Sequence, residues 1–234
     1  MNNLFLTELE YILQNYDHIL IELYNISDAE NIKDGLLNPN VGTAREMDLV
    51  SFLNYFMKPK SIQYYFSNKY QYDVAINSEY YSIKHQTGNS NSNIKFKWGL
   101  NMAEKYLNKY VKFEYHLIIV SINRENTKYK PTKYKEEKTI KIYIIFMNDL
   151  NKIYRKLIRR DIPRFTLDNR GISFSTYFTK EIKQLSTIYT IQSELLKNID
   201  KNDLALNFRS ATIHNLIQHK DTYHKLSKSA FKLD

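Results

Sequence analysis

The stretch Tyr72-Asp73-Val74-Ala75-Ile76-Asn77-Ser78-Glu79-Tyr80-Tyr81-Ser82-Ile83-Lys84-His85-Gln86 (residues 72–86) decides how this chain is read. YDVAI and YYSIKHQ alternate as strands do, because successive side chains on a strand point to opposite faces. Asn77-Ser78-Glu79 is a short link between them, so the pattern predicts a β-hairpin. Val74 and Ile76 share a face with Tyr72, while Asp73 points the other way. On the partner strand Ile83 takes one face, and Ser82, Lys84 and Gln86 take the opposite one. Pairing the apolar faces gathers Asp73, Ser82, Lys84 and Gln86 on the other side of the hairpin. A carboxylate and an ammonium inside a sheet are costly to bury without a partner or a metal, and that cost marks a candidate site.

Upstream, Phe5, Leu9, Ile12, Leu13, Tyr16, Ile19, Leu20 and Leu23 recur at helical spacing over residues 3–24. A second helix is expected from about Arg45 to Met57, with Leu49, Val50, Leu53 and Phe56 on one face and Lys58-Pro59 closing it. Downstream of the hairpin, GNSNSN is a polar loop and KFKWGLNMAEKYLNKYV (95–111) reads as a helix. HLIIVSIN and TIKIYIIFM are Ile-rich apolar strands, as expected of central positions in a sheet. The charged loop RENTKYKPTKYKEEK separates them. A helix is expected near Asn148–Arg160 and a strand at GISFSTYF, and from Thr179 the pattern reads as helical and basic to the end. This order describes an α/β fold with a mixed central sheet flanked by helices and a helical C-terminal region. The expected division is a core over residues 1–178, with residues 179–234 packed on the same domain. No internal repeat is visible.

A chain of 234 residues can bury a sizeable core, and 43% hydrophobic with 25% charged residues is ordinary for a soluble globular protein. No uninterrupted apolar run is long enough for a membrane span, and the N-terminus lacks the basic start of a signal peptide, so a cytoplasmic protein is expected. With no cysteine, disulfides, thiolate nucleophiles and Cys-ligated zinc are excluded. The formal net charge of +9 makes nucleic acid the first partner to consider, since lysine and arginine neutralise phosphates. The compositional alternative is that an AT-rich genome enriches Asn, Ile, Lys and Tyr everywhere. The histidines show no metal-binding spacing, and no Gly-rich phosphate loop is present.

The hairpin residues suit phosphodiester hydrolysis. That reaction needs a divalent cation to hold a non-bridging oxygen and to lower the pKa of an attacking water. Hard oxygen ligands suit magnesium, with one or two carboxylates binding directly. A nearby lysine can orient the nucleophile or stabilise charge on the phosphorane. Asp73 on one strand and Lys84 on the next supply that minimum.

With Asp73 at the first position and Ser82-Ile83-Lys84 at the second, the segment resembles the PD-(D/E)xK nuclease superfamily, and within it the type II restriction endonucleases. Tyr72 stands where the motif has Pro, and Ser82 stands where it has the second carboxylate. The resemblance covers residues 42–146 and implies a Mg2+-dependent, sequence-specific double-stranded DNA endonuclease. It implies a homodimer acting beside a cognate methyltransferase, with no membrane partner. It also implies that the second metal-binding carboxylate comes from a helix, and two candidates stay open. Glu46 precedes Leu49, Val50 and Leu53 by three, four and seven residues, which puts it on the core-facing stripe, although Thr43-x-x-Glu46 also matches a capping box. Glu104, after the hairpin, is the competing candidate. Asp73 and Glu46 would hold the metal, Lys84 would assist the nucleophile, and Ser82 or Gln86 would position water.

Basic segments interleaved with aromatics offer DNA contacts: Lys95 and Lys97 beside Trp98, and Lys128, Lys130 and Lys133 around Tyr129 and Tyr134. A solvated loop explains the second group equally well. Arg155, Arg159 and Arg160 end a helix, where cations also complement the helix dipole. Two rivals remain: a nuclease of the same fold without fixed specificity, and a non-catalytic DNA-binding protein in which Asp73 and Lys84 form a simple cross-strand ion pair.

Overall fold

The computed structural model describes residues 2–30, 32–33, 36–37, 41–57, 62–64, 72–87, 94–98, 111–124, 136–168 and 171–195. The chain divides into two compact units, one of Met1–Lys60, Arg124–Lys138 and Ile191–Asp234, the other of Ser61–Asn123 and Thr139–Thr190. No helix among the described residues is long and apolar enough to cross a membrane.

In the first unit, helix α1 (Asn2–Glu30) packs on helix α2 (Val41–Phe56), with strands β1 (Ile32–Lys33) and β2 (Leu36–Leu37) forming a short antiparallel link. The expected apolar face of α1 is buried from Phe5 to Leu23, except that Tyr16 is half-buried, and the helix continues beyond it. Helix α2 starts at Val41, so Thr43 lies inside the helix and not at its cap. The buried side chains of α2 include Arg45 and Asp48, whereas Glu46 is half-buried. Arg45 Nε donates to Asp28 Oδ1 of α1 at 2.7 Å, and Ser27 Oγ donates to Asp48. A buried charge needs such partners, because its desolvation is otherwise uncompensated.

The second unit holds most of a six-stranded sheet. Its strands are β3 (Ile62–Tyr64), β4 (Val74–Ile76), β5 (Glu79–Thr87), β7 (His116–Arg124), β8 (Glu136–Ile145) and β11 (Thr187–Leu195). The order is β11-β8-β7-β5-β4-β3. The β3–β4 and β4–β5 pairs are antiparallel and the β5–β7 pair is parallel, so the sheet is mixed, as expected. A smaller antiparallel sheet takes the order β6-β10-β9, from β6 (Lys95–Trp98), β9 (Phe165–Asp168) and β10 (Gly171–Phe174). Helices α3 (Met147–Arg159) and α4 (Thr176–Gln184) complete this unit, and the Ser175 side chain caps α4 by accepting from the Phe178 N–H.

One core joins Leu117 and Ile119 of β7 to Leu150, Ile153, Tyr154 and Leu157 of α3, Phe178 and Ile182 of α4, and the aromatics Phe113, Phe165 and Phe174. Their rings meet edge-on or offset, as Phe174 and Phe178 do at 4.9 Å, and each such pair adds roughly 0.5–1.5 kcal/mol beyond area burial. Asn151 clamps the entry to β7, accepting from the Phe113 N–H at 2.9 Å and donating to the Phe113 carbonyl at 2.8 Å.

Three expectations on secondary structure need correction. Lys95–Trp98 is a strand, because Lys-Phe-Lys-Trp alternates with period two and pairs with β10. The strand at GISFSTYF ends at Phe174, and Ser175 starts a helix. The helical pattern from Thr179 holds only to Gln184. Thr187–Leu195, rich in Thr, Ile and Tyr, is instead an edge strand of the six-stranded sheet. The expected boundary at 178/179 therefore falls inside α4, and the rest of the C-terminal region lies outside the described residues.

Candidate active site

The hairpin of β4 and β5 closes through two residues, because Ile76 pairs with Glu79 and Glu79 already belongs to β5. Asn77 and Ser78 have φ of 51° and 65°, the left-handed pair of a type I′ turn, whose twist matches that of the flanking strands. This fixes the register Val74↔Tyr81. Asp73, one residue before β4, extends the ladder by donating its N–H to the Tyr81 carbonyl at 2.9 Å.

That backbone bond aims the Asp73 side chain along β5. Its Oδ2 accepts from Ser82 Oγ at 2.9 Å, from the Ile83 N–H at 2.6 Å and from Lys84 Nζ at 3.1 Å. Three donors from consecutive residues thus hold one carboxylate oxygen, while Oδ1 receives no bond from the described residues. The Asp73 and Lys84 side chains are 23% and 24% exposed, so a ligand can reach both. Ser82 is fully buried, and its hydroxyl is a support for Asp73.

Gln86 faces the same side of β5 but makes a different contact. Its Oε1 accepts from Lys183 Nζ of α4 at 2.7 Å, and that ammonium lies 4.8 Å from the Tyr143 ring centre. Burial first, and Lys141 second, push the Lys183 pKa down. The sequence pattern missed Lys183, which joins Gln86 across 97 positions, and nothing in its own surroundings signals that partner.

At the turn, the Glu79 carboxylate accepts from Tyr81 Oη at 3.2 Å and lies 3.7 Å from His116 Nε2. His116 Nδ1 accepts from the Met147 N–H at 3.0 Å, which ties the hairpin to the start of α3. Burial lowers the His116 pKa, and Glu79 opposes the shift without reversing it. Burial, reinforced by Glu79, raises that of Tyr81.

The remaining expected site residues are spread across the chain. Lys95 stands half-buried on β6, and Lys97 is opposite Ile172 in the register. Glu46 belongs to α2 of the other unit. Glu104, Lys128, Lys130 and Lys133 lie outside the described residues. Among the described residues no three His, Asp or Glu side chains cluster as a ready metal cage. The donor set at the hairpin nevertheless suits magnesium: Asp73 keeps one carboxylate oxygen open, and Mg2+ is commonly held by one or two carboxylates with waters and substrate phosphates.

No family model and no curated protein sequence matches the chain. A solved structure described as a restriction endonuclease in complex with substrate DNA is similar in fold. It has a TM-score of 0.60 and 18% sequence identity, over 91% of this chain and 97% of that one. The mixed sheet, its flanking helices and this likeness together give the chain a restriction-endonuclease-like fold.

Proposed function

We propose that the chain is a Mg2+-dependent DNA endonuclease of the type II restriction class, cutting double-stranded DNA at a short specific sequence. The observation that carries this is the convergence of Ser82, the Ile83 N–H and Lys84 on a single oxygen of Asp73, on a hairpin beside a parallel strand. The restriction-endonuclease-like fold and the net charge of +9 support the same substrate.

Asp73 would hold the cation through its open carboxylate oxygen, with waters and substrate phosphates completing the shell. When bound, Mg2+ supplies Lewis-acid stabilisation of the phosphodiester and a water of lowered pKa. Ser82 and the Ile83 N–H fix the carboxylate so that it need not reorganise during reaction. Lys84 Nζ, already 3.1 Å from Asp73, orients the attacking water and stabilises negative charge as phosphorus becomes five-coordinate. Water adds its oxygen to phosphorus, the P–O bond to one sugar breaks, and that sugar oxygen leaves with a proton. Gln86 and Lys183 keep the far end of the same strand face polar. A homodimer would match a palindromic site by symmetry, a cognate methyltransferase would protect the host copy, and the cytoplasm would be the place of action.

The deciding experiment incubates the purified protein with a sequenced plasmid, in Mg2+ and in EDTA, beside Lys84→Ala. Discrete fragments that need the metal and vanish in the variant are expected. A smear would keep the nuclease and remove the specificity. Intact DNA under every condition would reduce Asp73–Lys84 to a cross-strand ion pair.

A further inference from the structure

Helix α3 carries a second concentration of charge, on residues the hairpin does not use. Leu150, Ile153, Tyr154 and Leu157 face the core, so the opposite side of the helix faces solvent. On that side stand Lys152, Arg155, Lys156, Arg159 and Arg160, at the i, i+3, i+4, i+7 and i+8 positions of one helical face. With Lys112, from the segment leading into β7, and with Met147, Asn148 and Asn151, they line an open groove of about 670 Å3. None of the described lining residues is acidic.

A basic genome-wide bias does not account for this face. Such a bias enriches lysine, whereas three of the chain's eight arginines lie here within six residues. Nor does helix stability, because Lys152/Lys156, Arg155/Arg159 and Lys156/Arg160 are like-charge pairs at i, i+4, which oppose helix formation. Complementing the helix dipole explains cations in the last turn and not Lys152 or Lys112. Glu181 of α4 answers Lys156, whose Nζ lies 2.6 Å from its carboxylate. Six cations line the groove, a charge that suits a polyanion. From Lys152 to Arg159 the helix rises about 10 Å, roughly three nucleotides along one DNA strand.

We propose that the groove along α3 and Lys112 binds the phosphate backbone of duplex DNA, as a grip separate from the Asp73–Lys84 site. Arginine suits this role because its planar fork takes two phosphate oxygens at once. Such a grip carries no base recognition, so it adds sequence-independent affinity.

Binding of a fluorescent duplex of about 30 base pairs, read by anisotropy in EDTA across a salt series, tests this without requiring cleavage. The full chain is compared with the Arg155→Ala/Arg159→Ala/Arg160→Ala variant. Affinity should fall on the order of tenfold or more, and the log–log salt slope should drop by about 0.9 for each phosphate that is no longer neutralised. The measurement uses neither metal nor cleavage, so failure of the catalytic reading would leave this result standing. Arg159→Ala is paired with Lys180→Ala, which removes one exposed charge of α4 outside the groove. If the triple variant binds DNA as the parent does, the proposal is overturned, even where it loses binding to polyglutamate. Equal effects of Arg159→Ala and Lys180→Ala would overturn it too, by reducing the effect to net charge. Circular dichroism confirms that each variant is folded. Should the triple variant melt, Arg159→Ala alone at this exposed position decides.

Discussion

Two acid–cation pairs in this chain share their chemistry and differ in setting. In the unit containing α1 and α2, Arg45 and Asp28 meet at 2.6 Å with side chains 1% and 2% exposed. On the hairpin, Lys84 and Asp73 meet at 3.1 Å and both keep about a quarter of their surface open to solvent. The buried pair sits beside Asp48, Ser27 and Tyr24, and the Tyr24 pKa is raised first by burial and then by Asp48. No substrate reaches such a cluster, so its charges can only hold α1 to α2. The hairpin pair is looser and accessible, and its donors converge on one carboxylate oxygen. Burial separates an architectural pair from one that a ligand can reach.

The comparison breaks if the two pairs respond alike to truncation. Arg45→Ala should destabilise the protein by about 3–5 kcal/mol, since it strands a buried carboxylate, and denaturant unfolding measures it. Lys84→Ala should leave stability within about 1 kcal/mol and lower the cleavage rate by about 10²–10³, the loss typical of removing one preorganised charge-stabilising group. A large unfolding effect at Lys84, with cleavage intact, would invert the assignment. Ser78→Gly sharpens the hairpin side. Ser78 holds φ of 65°, where glycine meets no steric penalty, so a gain of about 1 kcal/mol in stability is expected from thermal melts.

The smallest effect concerns pH. Burial holds the folded His116 pKa below its ordinary 6.5, so the unfolded chain binds the proton first as pH falls. His116 therefore withdraws stability as pH drops through 6.5 toward its folded value, and adds no further change below that. The groups around it are Glu79, the Tyr81 ring at 4.8 Å, Phe146 and the Met147 N–H. Denaturant melts at several pH values should show this slope flattened in His116→Gln.

The hairpin was legible in the sequence because both of its determinants are local. Alternation placed Asp73, Ser82 and Lys84 on one face, and the turn lies within the same fifteen residues. Helix α2 was legible as a helix, yet its buried charges were not. The stripe through Leu49 and Leu53 drew attention to Glu46, while Arg45 lies four and seven residues before Leu49 and Phe52 and is the one buried. Its partner Asp28 belongs to another helix, and sequence periodicity carries no sign of a partner there. At β6 and β11 the signals were present: Lys-Phe-Lys-Trp alternates, and Thr-Ile-Tyr-Thr-Ile is rich in β-branched residues. The basic, polar setting of both segments suggested helices, and pairing in the sheet overrode it.

The parallel union of β5 with β7 has a consequence for the chain during its synthesis. Strand β5 finds β4 across two residues, an event of microseconds, but it finds β7 only after the polypeptide from Thr87 has returned to His116. A nascent chain that has emerged only as far as Gln86 can bring Asp73 and Lys84 together while the outer edge of β5 still offers unpaired backbone groups. The hairpin residues are thus made early and framed late, so a ribosome-bound fragment carries Asp73 and Lys84 without the sheet that frames them.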